Sequence, residues 1–438
     1  MSSATLRGLA PGLAAALLLV AGSALAAAAA APAPTPRQMG EDVDSLCKAI
    51  DEGYAYFDGD RPQWKRACEK WRNIAVRSTT RSDFVAALEG LVATLHDDNV
   101  TLSERSATTP RRLPWEADLY AVWRDNVAYI DSVRTFGDSD VAGVRPGVVL
   151  LKIDDVPVEQ VVRDRLGTST PPRRALSWAL RHALAGPIRG VESITVRDGQ
   201  EVSTLRIERT EPHARGGRPV FARRMGDDRD IGYLRIRIGA DDAKLPGQLD
   251  AALENLMGTK GLLIDIRDHP GPGTPEVTRA ILSRFATSEA AWQIRELPQG
   301  PRIFDTIAPR GKPYKGKVIV LVDRWTAAEG EAVATGLAAV ANARVVGTRM
   351  TGLRGELRES TLPHSKVAVS YPAERVYLVN GERRESYVPE VLVDMGAPQG
   401  GPADPILYQA LKLLEPCPAP ACRSGPGSQP PARESLRR

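Results

Sequence analysis

The sequence predicts a multidomain α/β protein, and three observations carry that prediction. Apolar residues recur at helical spacing through residues 38–105; short alternating runs replace them over 113–212; and from 215 to 415 apolar strand-like runs alternate with amphipathic helical ones. Period 3.6 buries one stripe of a helix, and period 2 buries one face of a strand. Alternation of the two builds a sheet with helices packed on it.

The first 26 residues read as a secretory signal. Arg7 supplies a charged start, an apolar run follows from Leu9 to Val20, and Ala24-Leu25-Ala26 offers a small-residue cleavage site. The alternative is an uncleaved anchor, although the run is short for a membrane span. Residues 27–37 form an Ala- and Pro-rich linker. The expected location is periplasmic or extracellular.

In the helical region, Val43, Leu46, Ile50 and Tyr54 mark one helix, Trp64, Ala67 and Trp71 a second, and Phe84, Leu88, Leu91 and Leu95 a third. Thr80 and Ser82 are candidate starts for the third helix. The four cysteines are Cys47, Cys68, Cys417 and Cys422. An even number in an exported chain points to disulfides. Cys47 and Cys68 sit on successive helices and can bridge the hairpin, Cys417 and Cys422 can close a small loop, and free thiols are the alternative. None has the spacing of a zinc site, and no metal or cofactor is expected.

Over 113–212, strands are expected at 119–122, 127–130, 193–196 and 204–207, with a helix near 175–185. From 215 onward, strands are expected at 231–236, 262–266, 318–322 and 344–346, then at 366–370 and 375–378. Helices are expected at 245–257, 275–285, 328–341 and 403–414. The Pro-, Gly-, Ser- and Arg-rich tail, 416–438, lacks the apolar residues to fold and is expected to be disordered. Lys and Arg total 58 against 54 Asp and Glu, a net charge of +4. That balance excludes a dedicated nucleic-acid binder, which clusters its basic residues.

The chemistry concentrates at Asp323-Arg324-Trp325-Thr326-Ala327-Ala328-Glu329-Gly330-Glu331, where a buried strand turns into an apolar helix. Such a turn exposes one side chain and aims free N–H groups at a developing negative charge. The exposed position here is Ala328, which carries no nucleophile.

Together with Asp265-Ile266-Arg267-Asp268-His269-Pro270-Gly271, Val345-Val346-Gly347-Thr348-Arg349-Met350-Thr351-Gly352 and Glu385-Ser386-Tyr387-Val388-Pro389, this turn resembles the S41 serine peptidases. That group comprises the C-terminal processing (tail-specific) proteases and the tricorn cores. The resemblance spans roughly residues 38–415. It implies a helical N-terminal domain, a PDZ-like β-rich insert and a ClpP/crotonase-like catalytic core, with peptide or unfolded protein segments as partners.

Carried over position by position, the resemblance puts the nucleophile at Ala328 and the base of the Ser/Lys branch 25 residues on, at Leu353. It puts the histidine base of the tricorn-like branch at Asn99 and the orienting carboxylate at Glu385. Oxyanion donors fall on the backbone N–H groups of Gly271 and Glu329. The family's second glycine is Pro272, which has no N–H to donate. Neither Ala328, Leu353 nor Asn99 can attack or shuttle a proton near neutral pH. Loss of either group from a serine protease costs about a million-fold in turnover, roughly 8 kcal/mol. The substitute pair would be Thr326 with His269; otherwise Thr326 bonds and caps the turn, and His269 bonds backbone. The expected function is therefore a catalytically degenerate, peptide-binding homologue. The alternatives are an active endopeptidase with a reorganised site and a purely structural or assembly module.

Overall fold

The computed structural model describes residues 32–57, 61–167, 173–212, 217–239, 243–269, 271–396 and 403–414. The expected signal segment, residues 27–31 of the linker and the tail with Cys417 and Cys422 lie outside the described residues.

Three helices open the chain: Pro36–Gly53, Arg61–Ala75 and Arg81–Ala93. Local chemistry sets their starts. Thr35 and Gln38 form a capping box around Pro36 at the first helical position, and Thr80 and Asp83 form another. These satisfy amides that have no partner inside a helix. Thr80, not Ser82, is thus the cap of the third helix. The expected bridge Cys47–Cys68 joins the first two helices, with Cα atoms 6.1 Å apart. Leu46, Ile50, Phe84, Leu88 and Leu91 are buried in one cluster with Val367, Val369 and Tyr371. The helical region therefore packs directly on the C-terminal part of the chain.

The β-rich region is a sheet in the order Leu119–Arg124, Val127–Val133, Val149–Ile153, Gly190–Asp198, Glu201–Arg209. The helix Arg173–Leu184 covers it, and Leu119, Ile130, Leu150, Ile194 and Leu180 form its core.

The C-terminal region holds two sheets. The first runs in the order Val391–Leu392, Arg344–Gly347, Lys317–Val322, Gly261–Asp265, Ile231–Ile236, Val220–Met225. All neighbours are parallel except the last pair. Its central strands read as unbroken apolar runs because helices cover both faces. Leu245–Glu254, Pro275–Ser283 and Glu329–Ala341 contribute to one face cluster and Pro405–Leu414 to the other.

The second sheet was only partly legible. The expected strands 366–370 and 375–378 are one continuous strand, Ala368–Tyr377, that passes through Pro372. The chain accommodates the proline at a register shift, where Glu356 and Leu357 pair with Glu374 and Pro372. Ala290–Glu296, Arg302–Ile307 and Glu356–Thr361 join this sheet without having been expected as strands. Neither of the last two shows a clean apolar period: Glu356–Thr361 is mostly exposed and polar, and in Arg302–Ile307 Asp305 is buried while Ile303 and Phe304 are exposed. Thr101–Leu102 adds an edge to the same sheet.

Candidate active site

The site is built at the turn from Lys317–Val322 into Glu329–Ala341. Asp323 organises the turn: its carboxylate accepts from the N–H of Asp268 at 3.1 Å and from that of Trp325 at 3.0 Å. Thr326 is fully buried. Its hydroxyl accepts from Asp323 N–H at 3.0 Å and lies 3.2 Å from the Ile266 carbonyl. The Thr326 carbonyl accepts from Thr351 N–H at 3.1 Å. Thr326 thus braces the turn from beneath, two residues before the true cap.

That cap is Ala328, with φ 48° and ψ −116° and no side-chain capping bond. An L-residue pays steric strain there, of order 1–3 kcal/mol, and such strain persists where the surroundings over-determine it. The surroundings here are strong. The helix is buried from its start at Glu329 through Leu337. Ala328 itself remains partly exposed.

The Glu329 amide, which the resemblance would give to an oxyanion, is engaged by the chain's own backbone. Glu329 N–H donates to the Pro272 carbonyl at 3.3 Å. Gly271 is buried and Pro272 exposed. The loop beyond requires glycine: at Gly273, with φ 75°, a Cβ would sit 2.6 Å from Ile238 and 2.9 Å from Glu329. His269 is 1% exposed, and its ring nitrogens make no hydrogen bond of regular geometry. Burial pushes its imidazole down to about 4, so it is neutral at pH 7. A Cβ on Gly330 would lie 3.2 Å from both His269 Nε2 and the Thr326 methyl. The His269 ring and the Thr326 methyl thus both face Gly330, while the threonine hydroxyl is held on the main chain.

The other wall carries Asn99 and Glu385. Asn99 is buried; its side-chain N–H donates to the Arg354 carbonyl at 2.7 Å, and its backbone N–H donates to Asp97 at 2.9 Å. Asp97 also accepts from Tyr54 at 2.7 Å and lies 3.5 Å from the Arg354 guanidinium. Glu385 sits on the short 3-10 turn Arg384–Ser386, 3.7 Å from Arg383. One of its carboxylate oxygens is buried without a hydrogen bond, and burial raises its pKa. Asn99 and Glu385 share no hydrogen bond; both face Arg354, the first through its carbonyl and the second through its charge.

Glu331 joins the two walls, and sequence reasoning missed it. One oxygen of its buried carboxylate accepts from Gly352 N–H at 2.6 Å and Leu353 N–H at 3.3 Å. Burial pushes Glu331 up to about 7, against the opposing pull of Arg384 and those two amides. Burial also lifts Glu329 to about 7, with Glu356 adding repulsion. The available signal was a pair of acids inside an otherwise apolar helix, because buried carboxylates are rarely placed without partners.

Two arginines pin the β-rich region to this site. Arg324, on the turn, pairs with Asp131 at 2.6 Å, and Arg134 pairs with Asp268 at 2.9 Å. The Arg134 guanidinium also lies 4.5 Å from the Trp325 ring centroid. Among the described residues, no group of three or more His, Cys, Asp or Glu side chains is placed to hold a metal ion.

Several solved structures share this architecture. A photosystem II D1 C-terminal processing protease superposes with TM-score 0.54 at 16% identity, over 86% of this chain and 97% of that one. Mature CPAF complexed with lactacystin gives 0.53 at 14% identity, over 82% and 94%. A putative peptidase from Parabacteroides merdae gives 0.50 at 17% identity, over 87% and 97%. At these identities the likeness is one of fold. No curated protein matches the sequence. The sequence of residues 230–393, which holds the parallel sheet, the strained turn and the loops around it, matches the model of peptidase family S41. The family likeness in sequence thus covers residues 230–393, and the likeness in fold extends over most of the chain.

Proposed function

We propose that this chain is an exported S41 peptidase homologue that binds extended peptide and does not cleave it. The observation that carries the reading is Ala328, held at φ 48° on the turn where a nucleophile would stand. Three contacts support it. Asn99 has its side-chain amide on the Arg354 carbonyl. Glu329 N–H is engaged by the Pro272 carbonyl. Thr326, two residues before Ala328, is fully buried with its hydroxyl on the main chain. Hydrolysis by this apparatus needs an attacking group, a proton acceptor and a free oxyanion donor, and each position is filled by something else.

Peptide binding needs none of them, since an extended chain is held by main-chain pairing and side-chain pockets. The Cys47–Cys68 bridge favours an oxidising compartment. No helix among the described residues is long and apolar enough to cross a membrane. The test pairs two assays on the purified chain: hydrolysis of an unfolded protein, and fluorescence anisotropy with a library of labelled extended peptides. The reading predicts binding without product. Product formed by the natural chain would restore the active-peptidase alternative, and absence of both binding and cleavage would favour the assembly module.

A further inference from the structure

One strand of the second sheet is built inside out. Arg302–Ile307 ends the sheet and, among the described residues, pairs only with Ala290–Glu296. It buries Asp305 and leaves Ile303 and Phe304 39% and 59% exposed. The burial of Asp305 has a local cause. Its carboxylate accepts from Gln293 at 2.9 Å and from Arg295 at 2.6 Å, and Arg279 of the helix Pro275–Ser283 lies 3.6 Å away. The exposure of Phe304 has no such cause within one copy of the chain. Arg302, on the same face, is held over the Tyr377 ring at 4.6 Å and pairs with Glu296 at 2.6 Å.

The backbone is open as well. Successive residues of a strand turn their N–H and C=O groups to opposite sides. Those of Arg302–Ile307 that point away from Ala290–Glu296 meet no hydrogen-bonding group among the described residues. Such an edge is a template for a further strand, and chains that stay apart blunt it with lysine, proline or an inward charge. This strand has neither lysine nor proline, and its inward charge, Asp305, is already neutralised by Arg295.

We infer that Arg302–Ile307 is a dimer interface, where the edge of one copy pairs antiparallel with the same edge of a second copy and joins the two five-stranded sheets. The strand is self-complementary in one register. A two-fold axis perpendicular to the sheet keeps like faces together, so each residue stands opposite a residue of its own face. Centring on Asp305 sets two carboxylates against each other, which is unfavourable. Centring on Ile303 or Thr306 leaves only three residues of the strand in register. Centring on Phe304 pairs five, sets the two Phe304 rings across from each other and places each Arg302 opposite the partner's Thr306. An arbitrary peptide would gain the main-chain bonds but not the aromatic pair that the axis creates. The contact is small beside the roughly 1,600 Å² of a standard interface, so association in the micromolar range is expected.

The experiment is sedimentation velocity of the full chain from about 1 to 300 µM. The natural chain is expected to pass from monomer to dimer. Phe304→Lys, at a mostly exposed residue, is expected to raise the dissociation constant at least about ten-fold and leave the unfolding midpoint unchanged. Cysteine trapping tests the register, with the natural chain as control for Cys417 and Cys422. Phe304→Cys stands opposite its own copy and is expected to cross-link under mild oxidation. The two copies of Thr306→Cys lie four residues apart along the strands, about 14 Å, beyond the reach of a bridge. A natural chain that stays monomeric to about 300 µM, a dimer indifferent to Phe304→Lys, or Thr306→Cys cross-linking as readily as Phe304→Cys would overturn the assignment. A monomer that binds labelled extended peptides and releases them on Phe304→Lys would overturn the choice of a second copy.

Discussion

On the function proposed here, the turn at Ala328 and the wall at Asn99 have both lost catalytic chemistry, and the two are held in different ways. At the turn the backbone keeps a strained conformation that has no nucleophile to present. Asp323, Thr326 and the buried first turn of the helix hold it there. At the wall nothing is strained. Asn99 is a satisfied hydrogen-bonding residue, tied to Arg354 and Asp97. The lesson is that a site's frame and its reactive groups are held by separate interactions. Packing and main-chain hydrogen bonds maintain the frame whether or not a reactive group stands on it.

Glu331 joins the two regions, so breaking it has the largest expected effect. Glu331→Ala strands the N–H groups of Gly352 and Leu353 and removes a carboxylate that Arg384 faces. A loss of roughly 3–5 kcal/mol is expected in chemical denaturation, and an effect below about 1 kcal/mol would show that the two regions hold independently.

The same carboxylate predicts a pH dependence. Its folded value of about 7 lies above the ordinary 4.5, so between those limits the native state binds more protons than the unfolded chain. Stability then falls as pH rises from about 4.5 to 7, by up to roughly 1.4 kcal/mol per unit for this group. Glu331→Gln removes that contribution and flattens the profile; an unchanged slope would assign the dependence elsewhere.

Asn99→Ala sharpens the contrast on the unstrained side. It leaves the Arg354 carbonyl without its donor, and roughly 1–2 kcal/mol of stability should be lost. Ala328→Gly should do the opposite. Glycine accepts positive φ without a steric penalty, and the relief is partly offset by a looser unfolded chain. A gain of about 1 kcal/mol or less is expected by thermal unfolding, and a loss would mean that the turn is not strained.

The fold was legible where burial is two-sided. Leu262–Ile264 and Val318–Val322 read as continuous apolar runs because helices cover both faces of their sheet. The helical hairpin and its bridge were legible from Cys47, Cys68 and the apolar stripes around them. Glu356–Thr361 was not, because its side chains are mostly polar, and Arg302–Ile307 was not, because it buries Asp305 and exposes Ile303 and Phe304. At the site, Ala328 and Asn99 stood out because the family resemblance implies what would stand at those positions. Glu331, Arg354 and the Pro272 carbonyl did not: their importance lies in contacts with distant parts of the chain, and all three act through or upon backbone groups that every sequence contains.

The most direct measurement compares the natural chain with the double variant Asn99→His, Ala328→Ser for hydrolysis of an unfolded protein. The account predicts an inert natural chain and a double variant that cleaves, most readily when Pro272→Gly also restores the backbone N–H that proline lacks. Hydrolysis by the natural chain that survives purification, and disappears on Thr326→Val or His269→Gln, would contradict it.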